Sequence, residues 1–205
     1  MTSHVSSRPF RVSRFAIIAA AVVAVVASGV AAQAQVSQVD GAASVATPAD
    51  RIAAVAEGLL FPIATSPTCL IFNNFGGFSG VFGSGGHQGV DIGAELGQAV
   101  YAVENGVLYR KFTDLASAAG NGWGLNSDAG TQYRYYHLSG FAEGLAQGDR
   151  VRRGQLIGYV GDTGNATPGG YHLHFEVRPG PTFTVPVDPV PLLAIPAACT
   201  LYPHQ

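Results

Sequence analysis

The sequence predicts an all-β fold, a compact antiparallel β domain, on three observations. Beyond Cys69, short segments rich in Val, Tyr, Phe and Ile alternate with glycine-rich turns. From Tyr171 to Val177 apolar and polar residues alternate, which puts Leu173, Phe175 and Val177 on one strand face and His172, His174 and Glu176 on the other. No strand–helix–strand alternation occurs, so a doubly wound or barrel α/β architecture is not expected.

Arg8, Arg11 and Arg14 precede an apolar run from Phe15 to Ala27 and the small-residue stretch Ala32-Gln33-Ala34, the layout of a secretory signal peptide over residues 1–34. Read on to Ala32, the run approaches the ~20 residues of a membrane helix. An uncleaved anchor is therefore the alternative, and a membrane is a partner only in that case. Either way the remainder is expected outside the cytoplasmic membrane, secreted or in the cell envelope. Cleavage after Ala34 leaves enough chain for one domain with a core, expected as a monomer. It also removes three arginines and no acids from a chain of formal net charge −2. The mature protein is mildly acidic and lacks the basic patch of a nucleic-acid binder.

Residues 35–66 read as a linker with a short helix. Residues 35–47 are small and polar, then Thr47-Pro48-Ala49-Asp50 forms a helix-start signature and Ile52, Val55, Ala56 and Leu59 recur at helical spacing, ending near Gly58 to Pro62. The β domain is expected over 67–205. Its two cysteines, Cys69 and Cys199, lie near its ends, and an even count in an exported chain suggests a disulfide, with two buried thiols as the alternative. Strands are predicted at 99–103, 106–112, 123–127, 133–137, 156–160 and 172–177. Glu104-Asn105-Gly106 is read as a tight hairpin between the first two, since Asn-Gly supplies positive φ angles. Trp123, flanked by glycines, is read as a packing or groove-wall residue, with a ligand contact as the alternative, and the proline-rich stretch from Asp188 to Pro196 is read as an extended closing segment.

Four histidines fall in the β domain apart from the C-terminal His204: His87, His137, His172 and His174. His172 and His174 share a strand face about 6 to 7 Å apart, close enough to serve one site without both touching a metal. His87 and Asp91 form an H-x3-D spacing in a glycine-rich segment that can bend to bring them together. Two imidazoles and one carboxylate suit Zn²⁺, and three protein ligands leave a fourth position for water, as catalytic sites do. Either motif alone is equally compatible with a structural role. His137 closes the aromatic run Tyr133 to Tyr136; no H-E-x-x-H occurs, and a histidine can exchange protons near neutral pH in place of that motif's glutamate. Glu176 lies on the His174 face, where it could partner that ring.

Three ordered blocks, His87-Gln-Gly-Val-Asp91, Tyr135-Tyr-His137-Leu and His172-Leu-His174-Phe-Glu-Val, resemble the lysostaphin-type, or LytM-like, zinc endopeptidases that cut peptidoglycan peptides. The resemblance covers about residues 72 to 193, including the connecting segment from Gly148 to Gly164. It implies a duplicated hybrid-motif β fold with a narrow groove. It also implies that His87, Asp91 and His174 ligate zinc while His137 and His172 assist the attacking water and stabilise the tetrahedral intermediate. The implied substrate is a peptidoglycan stem or cross-bridge. Many relatives carry an arginine shortly before the H-x3-D block; here no Lys or Arg occurs between Arg51 and Arg110. A non-catalytic wall-binding module or activator of another hydrolase is the alternative function.

Overall fold

Short segments rich in branched and aromatic side chains build eleven strands in the computed structural model, which describes residues 58–77 and 86–204. The leader, most of the linker and the start of the predicted helix lie outside the described residues. The strands are β1 (Leu70–Phe72), β2 (Val90–Gly93), β3 (Ala99–Tyr101), β4 (Gly106–Phe112), β5 (Gly122–Ser127), β6 (Thr131–Tyr136), β7 (Leu138–Phe141), β8 (Arg150–Val151), β9 (Leu156–Val160), β10 (His172–Pro179) and β11 (Thr200–Tyr202). Among the described residues no helix is long and apolar enough to cross a membrane.

Eight strands form one sheet in the order β11-β1-β2-β10-β6-β5-β4-β8, and β3-β9-β7 form a second. Strand pairs are antiparallel except β1 with β11, which run parallel. The disulfide Cys69–Cys199 sits beside that pair, and Thr200 N–H donates to the Cys69 carbonyl at 3.0 Å. From Gly58, left-handed at φ +69°, the chain is extended rather than helical; Leu59 bridges Leu193, and Phe61 and Ile63 enter the core.

The core lies between the sheets, where Trp123, Tyr135, Phe175, Leu173 and Ile157 are fully buried. Two polar links cross it: Trp123 Nε1–H donates to the Ile157 carbonyl at 2.8 Å, and Val103 N–H to the Tyr135 hydroxyl at 3.1 Å. Trp123 is therefore a packing residue. Such buried pairs satisfy groups that would otherwise be costly to remove from water.

The predicted 104–106 hairpin is not formed. β3 pairs with β9 in the small sheet, whereas β4 pairs with β5 and β8 in the large one, so the turn carries the chain from one sheet to the other. Gly106 is needed for a different reason: a Cβ there would collide with the Asn126 carbonyl across the β4–β5 pair. The Asn-Gly signal reflects a close backbone approach rather than a hairpin φ.

Candidate metal centre and cleft

The face of the large sheet turned away from the core carries the polar residues, because period-2 alternation that buries Leu173, Phe175 and Val177 sends His172, His174, Glu176 and Arg178 the other way. Register then aligns them with neighbours. His174 lies opposite Asp91 on β2 and opposite Tyr136 on β6, and Glu176 lies opposite Arg134.

His87 joins from the segment preceding β2. Its N–H donates to the Gly77 carbonyl at 3.0 Å and its carbonyl accepts from Gly76 N–H at 2.8 Å. Gly89 lets this segment pass against β10, since a Cβ there would collide with the Phe175 carbonyl and press on the His174 ring. His87 Nε2, Asp91 Oδ1 and His174 Nδ1 converge: His87 to His174 is 2.9 Å, His174 to Asp91 3.1 Å and His87 to Asp91 3.2 Å. These three residues form a group able to hold a metal ion.

Around the triad, Asp91 and His174 are each fixed by a further contact. Asp91 Oδ2 accepts from Asn74 Nδ2 at 2.9 Å, and Asp91 N–H donates to Asn74 Oδ1 at 3.2 Å. His174 turns Nε2 to Glu176 Oε1 at 3.3 Å, and Glu176 Oε2 accepts from Arg178 Nε at 2.5 Å and lies 3.6 Å from Arg134. Arg178 also donates to Gln88 Oε1 and to the Thr184 carbonyl. The Tyr136 ring stacks on His174 with centroids 5.6 Å apart. Asn74, Gln88 and Arg178 have no counterpart in the sequence reading: Asn74 reaches the site only through the long-range β1–β2 pairing, whereas Arg178 could have been found by extending the 172–176 alternation one step.

His137 and His172 stand beside the triad with ring centroids 4.7 Å apart, and His137 lies 5.9 Å from His174. His137 follows β6 in the left-handed region at φ 64°, a conformation uncommon for a side-chain-bearing residue and held here by the surrounding loops. Its N–H donates to the Ala119 carbonyl, and its Nδ1 is 2.7 Å from the Thr163 carbonyl. His172 Nδ1 is likewise 2.7 Å from the Gly170 carbonyl. A carbonyl accepts only, so each Nδ1 carries the proton, and each Nε2 is left for the site. His172 Nε2 lies 3.7 Å from Asp91 Oδ1.

Electrostatics separates these groups. Burial raises the Asp91 carboxyl, but hydrogen bonds from His174 and His87 outweigh it and hold the group well below the carboxylate range. Burial lowers the His174 imidazole, yet its bonds to Asp91 and Glu176 take it up to about 9 in the metal-free site. Burial, reinforced by the neighbouring His172, brings His137 down to about 4, so its ring is neutral at neutral pH. The Glu176 carboxyl is raised by burial and lowered further by His174 and Arg178, with a net downward shift.

A cleft of about 660 Å³ runs from His174, His137 and Glu176 across the strands to Arg110 and Asp114. Gly122 and Gly124 of β5 leave room for the rings of Tyr136 and Tyr109. Phe112 packs edge-on against Tyr136 at 5.1 Å.

Comparison with known proteins agrees with this geometry. Over 92 residues the chain is 40% identical to the DD-carboxypeptidase/endopeptidase Mpg of Neisseria meningitidis, covering 45% of this chain and 20% of that protein. The chain thus spans about a fifth of that curated relative. The catalytic domain of lysostaphin from Staphylococcus simulans superposes with a TM-score of 0.51 at 30% identity, covering 59% of this chain and 89% of that one. A zinc containing peptidase from Vibrio cholerae superposes at 0.50 with 26% identity, covering 63% and 38%. The family model described as Peptidase family M23 matches residues 85–189, which is over half of the chain and spans every member of the triad and both flanking histidines. This chain belongs to Peptidase family M23.

Proposed function

We propose that the chain is an exported zinc metalloendopeptidase that hydrolyses peptide cross-links of bacterial peptidoglycan, with His87, Asp91 and His174 as metal ligands and His137 and His172 as the proton-handling pair. The observation that carries this reading is the donor triangle with sides of 2.9, 3.1 and 3.2 Å at the end of a cleft. Ligand bonds of about 2.0 to 2.2 Å at tetrahedral angles give donor separations of about 3.3 Å, so the set fits zinc with its fourth side open. Zinc bound there would supply Lewis acidity toward a water and the scissile carbonyl. The Vibrio cholerae neighbour, described as a zinc containing peptidase, supports the choice of metal.

The chain's own residues supply the rest. His137, neutral and with Nδ1 pinned to Thr163, offers Nε2 to take a proton from the attacking water. His172, pinned in the same way to Gly170, turns Nε2 to the same space; as an imidazolium, with both ring nitrogens protonated, it would donate from Nε2 toward oxygen as negative charge develops there. Glu176 orients His174 by accepting from its far nitrogen, the usual device for fixing a ligating imidazole. Export is supported by the leader pattern and by the Cys69–Cys199 disulfide, which suits an oxidising compartment. The name of the Mpg relative, an endopeptidase, supports the reaction class.

The test uses mature protein supplied with zinc and isolated peptidoglycan. New amines should appear, should cease with a chelator, and should be absent with His174→Ala. Binding to sacculi without any new amine from zinc-loaded protein would refute the enzyme and favour the non-catalytic wall-binding module.

A further inference from the structure

Among the described residues, the far end of the cleft carries one exposed cation, Arg110. Register places Arg110 on β4, Gly124 on β5, Arg134 on β6 and Glu176 on β10 in a single cross-strand row. Arg134 is engaged by Gln132 and Glu176. Lys111 also lines the cleft, but it is half-buried and its ammonium is engaged 4.1 Å over the Phe141 ring and 5.2 Å over Trp123. Asp114 caps its own turn, its Oδ1 accepting from Ala116 N–H at 3.0 Å. Arg110 is exposed, and among the described residues no carboxylate lies within ion-pair distance of it. Its guanidinium is nevertheless placed, 4.6 Å over the Phe112 ring. Phe112 in turn packs on Tyr136, and Tyr136 on His174, so a ladder of ring contacts ties the cation to the triad.

We infer that Arg110 recognises a free carboxylate of the substrate, so that the cleft takes an acidic peptide rather than an uncharged one. This rests on the cleft being a peptidase cleft. The ruler comes from the sheet: β4 is three strands from β10 in the sheet order, which is about 14 Å across the strands. An extended peptide rises about 3.3 Å per residue, so the carboxylate lies about four residues from the bond at the triad. Arginine's planar fork is suited to gripping a carboxylate with two N–H groups, and at an exposed cleft end the preference should be about tenfold and weaken with salt.

The experiment compares cross-linked muropeptides with the same preparation after its free carboxylates are converted to amides. Two readouts are taken: kcat/KM of the zinc-loaded protein, and binding of both preparations to the metal-free protein by calorimetry. Wild type should favour the carboxylate form by about tenfold in each. In Arg110→Gln that ratio should fall to near one, and in Arg110→Lys part of it should remain. Equal cleavage and equal binding of both forms by wild type would overturn the carboxylate site while leaving the peptidase reading intact. No cleavage of either form by zinc-loaded wild type would instead overturn the peptidase reading, and this inference with it.

Discussion

Replacing Glu176 with glutamine removes one negative charge from between His174 and Arg178 while keeping the side chain's shape. Both neighbours are buried, with His174 5% and Arg178 4% exposed, so neither can turn to water for compensation. Two effects follow. The far nitrogen of His174 loses a charged acceptor at 3.3 Å, and loss of such a partner typically costs 10–100-fold in metal affinity, about 1.4 to 2.7 kcal/mol. Arg178 loses its carboxylate and keeps the neutral oxygens of Gln88, Phe183 and Thr184; breaking a buried pair costs about 3 to 5 kcal/mol, and the glutamine oxygen should hold the loss to the lower end. The pH dependence supplies a separate check. In metal-free wild type the His174 pKa is raised from the usual 6.5 to about 9, so its contribution to stability is complete below pH 6.5 and is lost as pH rises through about 9. That interval corresponds to about 3 kcal/mol, and with one of the two raising partners gone the decline should flatten. Competition for zinc against a chromophoric chelator and thermal melting of the metal-free protein from pH 6 to 9.5 would measure both. Zinc affinity within twofold of wild type, with an unchanged slope of Tm against pH, would refute the reasoning.

Three further outcomes are expected. His137→Ala and His172→Ala should retain zinc, by mass spectrometry of the folded protein, while losing about 10²- to 10⁴-fold in kcat; loss of metal from either variant would make it a ligand instead. Reducing the Cys69–Cys199 bridge, which closes a separation of 130 residues, should lower stability by up to about 5 kcal/mol, measured by urea denaturation with and without reductant. Gly89→Ala should destabilise by about 1 to 3 kcal/mol and weaken zinc binding as well, because the added methyl meets the Phe175 carbonyl and the His174 ring together; an unaffected zinc affinity would show that β10 yields without moving His174.

The legibility of the sequence tracks the range over which each interaction acts. Period-2 alternation is local, and it placed His172, His174 and Glu176 on one face with Leu173, Phe175 and Val177 buried behind them. The strands β4, β5, β6, β9 and β10 were visible for the same reason, to within a few residues at their ends. Partnership between strands is not local. Nothing near Asn105-Gly106 reveals that β3 belongs to one sheet and β4 to another, and the glycine looks the same whether it serves a turn or a close approach to Asn126. The site divides along this line. The histidines and Asp91 stand in recognisable spacings, and the structure brings all five residues together. Asn74, by contrast, is set on Asp91 by the β1–β2 pairing, and Gln88 meets Arg178 from 90 positions away. Thr163 offers His137 a backbone carbonyl, a group every residue has, so its identity could not announce that role.

The sheet order also fixes when during synthesis the candidate metal centre can form. β10 does not add to an edge; it inserts between β2 and β6, and the triad takes His174 from β10 and Asp91 from β2. A nascent chain still short of residue 174 holds at most two of the three donors, and they stand beside an unfilled gap in the sheet. Pairings between segments so distant in sequence form late and slowly compared with local contacts. The group able to hold a metal ion is therefore complete only once β10 has inserted between β2 and β6.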